Sequence, residues 1–439
     1  MVGLVVGRTA VGDVAGTVVS SQRGNDWGAK PKGRRPLRPR TPKSCVQCGL
    51  EANPVAEDCG AVRPWREVRS ARGRKKTVDT EGYACWNEGC VYHGITDARV
   101  HALVGDGHHG KGERIHDLRC QACGKRVSER RGTALYGLKT ASWRVSEVLS
   151  ALAEGLDVGA AVRVFGHTEG TIQRWRTRAG MHAERMHERF FRRLALWHIQ
   201  LDELKTRLRE KGHELWVWVA LDVQTKVIPS LAIGPRTQAL CNGLIHALCG
   251  VLAPGCVPVF TSDGLNMYFY ALTAHFGNWQ REEGQRKPRW VVSAELLYGQ
   301  VKKFYRRRRV VGVEYRMQWG VLAELKERLK GLGLSGKLNT AFVERVNLTL
   351  RQSIGFLIRR TWGTAQTVLA LREHVEWWRG YYHFVRPHEG LRVALTQPVT
   401  RKGGQQARRY RSRTPAMAAG LTGRRWTASE FLSYPLPVG

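Results

Sequence analysis

Residues 255–277 read GCVPVFTSDGLNMYFYALTAHFG. The apolar run at 257–261 has the pattern of a strand covered on both faces, and Asp263-Gly264 ends it before a stretch with helical spacing. A carboxylate just past the carboxyl end of such a strand sits where open α/β sheets bind their ligands, which makes Asp263 a candidate site residue. Upstream, in ALWHIQLDELKTRL (195–208), Trp197, Ile199 and Leu201 alternate with His198, Gln200 and Asp202. That alternation predicts a strand with Asp202 on its polar face. ELWVWVALDV and VIPSLAIG follow as two further strands joined by the turn DVQTK, an antiparallel meander. Downstream, AFVERVNLTLRQ (341–352) predicts a helix. Val343, Val346 and Leu350 form its apolar stripe, while Glu344, Asn347 and Arg351 share another face. An isolated Glu beside an Arg is ordinarily an exposed surface pair. Here it is the third acid of an ordered series.

The 439 residues are enough for two to four domains and a substantial core. Lys and Arg number 71 against 37 Asp and Glu, a net charge of +34, so a polyanion such as nucleic acid is the expected partner. Hydrophobic residues are 42% of the chain, which excludes a wholly disordered basic protein. The mildly apolar first 19 residues are broken by Arg8, Asp13 and glycines and match neither a signal peptide nor a spanning helix; no later stretch offers 18 unbroken apolar residues. The expected location is the cytoplasm, where the ten cysteines stay reduced and suit metal better than disulfides.

Residues 1–44 read as a disordered basic arm, with GAKPKGRRPLRPRTPK at 28–43. Seven cysteines follow within 45–135, a metal-stapled region. Cys45-x2-Cys48-Gly, Cys85-x4-Cys90 and Cys120-x2-Cys123-Gly have the spacing of thiolate ligands, and two such pairs make the tetrahedral site that Zn2+ prefers. Cys85, Cys90, Cys120 and Cys123 give one ribbon-like structural site, with HHGKGERIHDLR between the knuckles. Cys45 and Cys48 would form a second, with Cys59 and His93 as partners. Cys241, Cys249 and Cys256 read as buried small hydrophobes.

Residues 141–195 predict an all-α helix-turn-helix module: a helix over Val158–Phe165, a turn at Gly166-His167, a cap at Thr168 and a second helix over 169–178. Ile172 and Trp175 face inward on that second helix, leaving Gln173, Arg174, Arg176 and Arg178 for phosphates and base edges. An ordinary core hairpin has the same pattern, but its place beside a metal ribbon in a +34 chain favours DNA. An α/β domain over 196–398 and a flexible basic tail over 399–439 complete the organisation.

A three-strand meander, then strand-turn-helix, then a late helix is the order of the ribonuclease H-like fold, with Asp202 on the first strand, Asp263 at the fourth and Glu344 on the closing helix. The chain resembles the DDE transposases of bacterial insertion sequences, most closely the IS-one type, over roughly residues 85–392. That family has a zinc ribbon and helix-turn-helix before a core with T-D-G and E-R-x-N-x-x-x-R motifs. The counterparts here are Thr261-Ser262-Asp263-Gly264, with one residue inserted, and Glu344-Arg345-Val346-Asn347 with Arg351. YYHFVRPHEGL at 381–391 is similar to the Y-x-x-x-R-P-H segment that follows the catalytic Glu in many such enzymes.

The resemblance implies that Asp202, Asp263 and Glu344 hold two Mg2+ ions, or Mn2+ in their place, for cutting and joining phosphodiester bonds. It also implies that Arg345, Asn347 and Arg351 face DNA, and that the protein works on double-stranded element ends and target as a homodimer or higher oligomer. The interval from Asp263 to Glu344 is long, and Arg306, Arg307, Arg308 and Arg309 within it read as an inserted DNA-contacting loop. Asp222 is an alternative first acid, although DVQTK is a turn in which Asp favours local hydrogen bonding. Glu203, Glu295 and Glu314 are weaker candidates for the site and read as surface acids. A regulator that keeps the DNA-binding modules without catalysis, and a nucleic-acid packaging protein, are the rival readings; the three ordered acids favour the transposase.

Overall fold

The computed structural model describes residues 62–68, 78–209, 214–281, 283, 286–307, 309–358, 363–400 and 407–436. The arm at 1–44 and Cys45, Cys48 and Cys59 lie outside the described residues.

A short helix α1 (Trp65–Val68) precedes a three-stranded antiparallel sheet of β1 (Leu103–His109), β2 (Ile115–Cys120) and β3 (Arg126–Ser128). Tyr92, Ala102, Leu103 and Leu118 pack with the cysteines into a small separate core. Glu113, in the loop between β1 and β2, accepts hydrogen bonds from the Ser142 amide (2.7 Å) and hydroxyl and from Arg130. The cysteine region is thereby fastened to the start of the next helix.

That helix is α2 (Ser142–Ala153), followed by α3 (Val158–Phe165) and α4 (Glu169–Phe190). Asp157 caps α3 through the Ala160 amide, and Gly166 ends it in the left-handed region at φ 71°, where glycine carries no Cβ penalty. Thr168 is the N-cap residue of α4, but its hydroxyl meets that of Thr171 rather than an amide. The second helix runs twelve residues beyond the expected 178 because Ala179, Ala183 and Met186 extend its buried stripe.

The central sheet contains β4 (His198–Arg207), β5 (Glu214–Asp222), β6 (Ser230–Gly234), β7 (Val259–Ser262), β10 (Leu297–Arg306) and β11 (Arg309–Trp319), in the order β11-β10-β7-β4-β5-β6. The meander β4-β5-β6 is antiparallel, β7 runs parallel to β4, and β10 runs parallel to β7. Four consecutive residues of β4 and all four of β7 are buried, so both faces are covered. Helix α5 (Gln238–Val251) packs on β5 and β6; α6 (Met267–His275) follows β7 and packs on α5. A hairpin of β8 (Gly277–Gln280) and β9 (Arg289–Val292) comes next, then β10, β11 and α7 (Leu322–Gly331), which packs on β10. Helix α8 (Ala341–Ser353) lies on β4 and β5, and α9 (Val368–Phe384) lies against α4 along its length. A Cβ on Gly180 would come 2.3 Å from the Glu373 carbonyl oxygen, so the close α4–α9 approach requires glycine there.

The C-terminal segment departs from the flexible arm expected of it. β12 (Val393–Val399) pairs with β13 (Arg408–Arg411), and α10 (Pro415–Ala418) and α11 (Ala428–Leu432) then return to the core. Phe431 and Leu432 are fully buried, the His182 ring meets the Phe431 carbonyl at 3.0 Å, and the Ala134 amide donates to Leu432. A capping box at Thr427 and Glu430 starts α11. The tail is basic up to Arg413, but Phe431, Leu432 and Leu436 carry enough apolar surface to anchor it. One hydrophobic core therefore joins the helical module, the sheet and the C-terminus.

Candidate functional site

The parallel register of β4 and β7 sets the site. His198, Ile199, Gln200 and Leu201 pair with Val259, Phe260, Thr261 and Ser262, so Asp202 and Asp263 are the next residues on two adjacent strands. Strand β7 stops there while β4 continues, which leaves a notch at the strand end. Asp263 turns locally, its Oδ1 accepting from the Leu265 amide at 3.1 Å. One carboxylate oxygen from each of Asp202, Glu203 and Asp263 lies within 4.8 Å of the others, a group that could hold a metal ion.

Glu203 corrects the expectation of a surface acid. Its side chain is 3% exposed, it pairs with Arg236, and it accepts from the Tyr268 hydroxyl at 3.1 Å. Glu295 is exposed, and Glu314 is paired with Arg316 on the surface. Asp222 lies opposite Ile199, three positions along β4 from Asp202, and its Oδ2 accepts from the Thr225 amide and hydroxyl at 2.7 Å. It closes its own turn, as Asp in a hairpin does.

Glu344 stands in the first turn of α8 and is not part of the three-acid group. It accepts from Thr340 and pairs with Lys303 of β10. Helix α8 is stitched to β4 at three points. The Gln200 side chain accepts from the Phe342 and Val343 amides at 3.1 and 3.0 Å, capping the helix start. The Asn347 amide donates to Asp202 Oδ2 at 2.8 Å, and the Arg351 guanidinium donates to the Lys205 carbonyl at 3.2 Å. Asn347 is buried against β4, which corrects its expected role toward DNA; Arg351 is half-buried and Arg345 exposed. Gln200 was missed because a buried polar residue in a strand gives no sign of which amides it meets.

The acids share a strained electrostatic environment. Burial, then Asp263 and Glu203, push the Asp202 carboxyl up to about 7. Burial raises Glu203, with Asp263 adding to it, and burial raises Asp263, to which Glu344 contributes repulsion. Arg236 opposes the rise at both Glu203 and Asp263. The oxygen-only donor set, together with an Asn347 Oδ1 that is buried without a hydrogen-bond partner, fits a hard divalent cation.

Cys85, Cys90, Cys120 and Cys123 converge with sulfur atoms within 4.8 Å of one another and could hold a metal ion. The separations are 3.6 Å for Cys85 to Cys123 and 3.8 Å for Cys90 to Cys120. A tetrahedron with Zn–S bonds of about 2.3 Å places its sulfurs about 3.8 Å apart. Gly124, at φ 76°, lets its amide return to the Cys120 carbonyl. Burial pushes the Cys85 and Cys90 thiols up. Burial acts on Cys123 too, but hydrogen bonds from the Lys125 backbone and Asn87 outweigh it and leave the thiol at about 7. His93 is exposed and outside this group.

On α4, Arg174 and Arg178 are exposed and Gln173 half-buried, its amide donating to Glu169 at 2.7 Å. Arg178 donates to the Ala134 and Tyr136 carbonyls. Arg176 is 4% exposed and lies over the Phe356 ring, which corrects its expected DNA-facing role. Its position four residues after Ile172 and three before Ala179 puts it on the buried stripe. Arg306, Arg307 and Arg309 occupy the exposed tip of the β10–β11 hairpin rather than an irregular inserted loop, and Arg308 lies outside the described residues.

Among the described residues, no helix is long and apolar enough to cross a membrane. No family model matches this chain, and neither does any curated protein.

Proposed function

We propose that this protein is a DDE-type transposase, with a ribonuclease H-like catalytic core that cleaves and joins DNA at the ends of a mobile element. The observation that carries the reading is the meeting of Asp202, midway along β4, with Asp263, just past the end of the parallel neighbour β7, beside a helix that bears Glu344 and is tied to β4. An acid cluster in a chain of net charge +34 is otherwise hard to explain, because local attraction to DNA would favour cations there.

Asp202 and Asp263 hold Mg2+ in this reading, and Glu344 completes the set from α8. Mg2+ supplies activation of the attacking oxygen and stabilisation of the leaving oxygen. Asn347 orients Asp202 by its amide, Gln200 fixes the start of α8, and Arg351 fixes its far end. Thr340 and Lys303 orient Glu344. Cys85, Cys90, Cys120 and Cys123 hold a structural Zn2+, since four thiolates leave no open position for chemistry. Gln173 and Arg174 on α4 read double-stranded end sequence, and the arginines of the β10–β11 tip neutralise phosphate. Joining two ends calls for at least two copies of the chain.

The test is strand transfer in vitro with the DNA flanking the gene. Asp263→Asn or Glu344→Gln should abolish Mg2+-dependent cleavage and joining while binding to the same duplex persists. Full activity in either variant refutes the assignment.

A further inference from the structure

We infer that Glu203 is a fourth carboxylate of the metal site, aimed into it by Tyr268 and Arg236. The inference rests on the metal-dependent reading above and extends it to a residue outside the Asp-Asp-Glu series. Neighbouring residues of a strand point to opposite faces, so Asp202 and Glu203 would normally part. The hydrogen bonds show that they start to do so: Asp202 meets Asn347 of α8, whereas Glu203 meets Tyr268 of α6. Strand β7 ends at Ser262, one position short of Asp202, so beyond that point β4 is open on the β7 edge, while β5 continues on the other. The longer Glu side chain reaches around the open edge, and its carboxylate comes within 4.8 Å of those of both Asp202 and Asp263.

An ion pair with Arg236 alone does not account for this placement. The Arg236 side chain is 40% exposed, stacked 4.8 Å over the Trp216 ring, whereas the Glu203 side chain is 3% exposed. A carboxylate serving only that guanidinium would stay hydrated at the rim. Instead it is drawn inward beside two like charges, where Arg236 and Tyr268 offset only part of the cost, since Glu203 and Asp263 both stay raised, and a divalent cation would stabilise the arrangement. Tyr268 is fully buried and donates its hydroxyl to one oxygen, and Arg236 takes the other. Both are positioning residues that hold the carboxylate at the notch.

Mn2+ binding to the full-length, zinc-loaded protein without DNA tests this, read by the loss of the free-ion electron paramagnetic resonance signal. Glu203→Gln should weaken Mn2+ binding by more than about tenfold, and Tyr268→Phe, which removes only the aiming hydroxyl, by about tenfold. Exposed Glu295→Gln serves as control and should bind as the unchanged protein does. If Asp263→Asn loses Mn2+ while Glu203→Gln retains wild-type affinity, Glu203 is structural and the inference falls alone. If the unchanged protein takes up no Mn2+ beyond the cysteine cluster, the metal-dependent reading falls with it. Should Glu203→Gln fail to fold, Tyr268→Phe decides: wild-type affinity there overturns the inference.

Discussion

Asp202→Asn should make the Mg2+-free protein more stable, and increasingly so as the pH rises. Burial and the neighbouring Asp263 and Glu203 push the Asp202 carboxyl from 3.8 to about 7 in the folded state. A raised folded pKa means that the fold favours the neutral form. Its contribution to stability is fully present below the unfolded pKa and is lost as pH rises through about 7. At about 1.4 kcal/mol per pKa unit, the raised group costs about 2 kcal/mol at pH 5, where it must take up a proton to fold, and about 4 kcal/mol at pH 8, where it stays ionised in the fold, shared across the coupled acids. Asparagine removes the charge but can accept only one of the two hydrogen bonds that Asp202 takes from the Glu203 amide and Asn347, a loss of about 1 kcal/mol. The net expectation is a gain of about 3 kcal/mol at pH 8, falling to about 1 kcal/mol at pH 5. Urea unfolding read by tryptophan fluorescence, in Mg2+-free buffer without chelator so that zinc stays bound, measures it at each pH. Adding Mg2+ should reverse the ranking, because only the unchanged site gains from the ion. A gain that is flat with pH, or a variant less stable at pH 8, would refute the electrostatic account.

Replacing Gln173 and Arg174 by alanine should lower the preference for element-end over scrambled duplex by about 1–3 kcal/mol per lost base contact. Arg176→Ala should instead reduce stability and leave that preference alone, since its side chain is 4% exposed; paired binding titrations and melting curves separate the two. Metal analysis of protein purified without chelator should find at least one Zn2+ per chain, and Cys120→Ser should lose it and open residues 78–128 to proteolysis, because so small a core depends on the ion. Phe431→Ala should cost about 3–5 kcal/mol, and truncation after Arg413 should yield insoluble protein, outcomes that a solvated tail would not produce.

The elements that carry the site were legible in the chain itself. Alternation through His198, Gln200 and Asp202, the buried run ending at Asp263, and the 3.6-residue spacing of Val343, Val346 and Leu350 each predict an element that the structure contains. The four clustered cysteines were legible for the same reason: their spacing is local, and the geometry of a knuckle depends on only a few residues. Periodicity reports how a side chain is directed relative to its own helix or strand.

What lies against that side chain is a separate matter, and only the tertiary structure decided it. Arg176 is internal because Phe356 and the Glu373 side of α9 pack against it, while Arg174 and Arg178 of the same expected set stay exposed. Asn347 does share a face with Glu344, yet its side chain is buried against Asp202 of β4, while Glu344 stays exposed and Arg351 half-buried. Glu203 joins the acids because β7 stops one position short of Asp202, and where a partner strand stops is not written in the strand that continues. The C-terminal segment is basic along its length up to Arg413, and a handful of apolar residues beyond it return to a core assembled from α2, α4 and α9. Charge and spacing are properties of a segment. Burial is a property of the surfaces that meet it, and those come from residues far away in the chain.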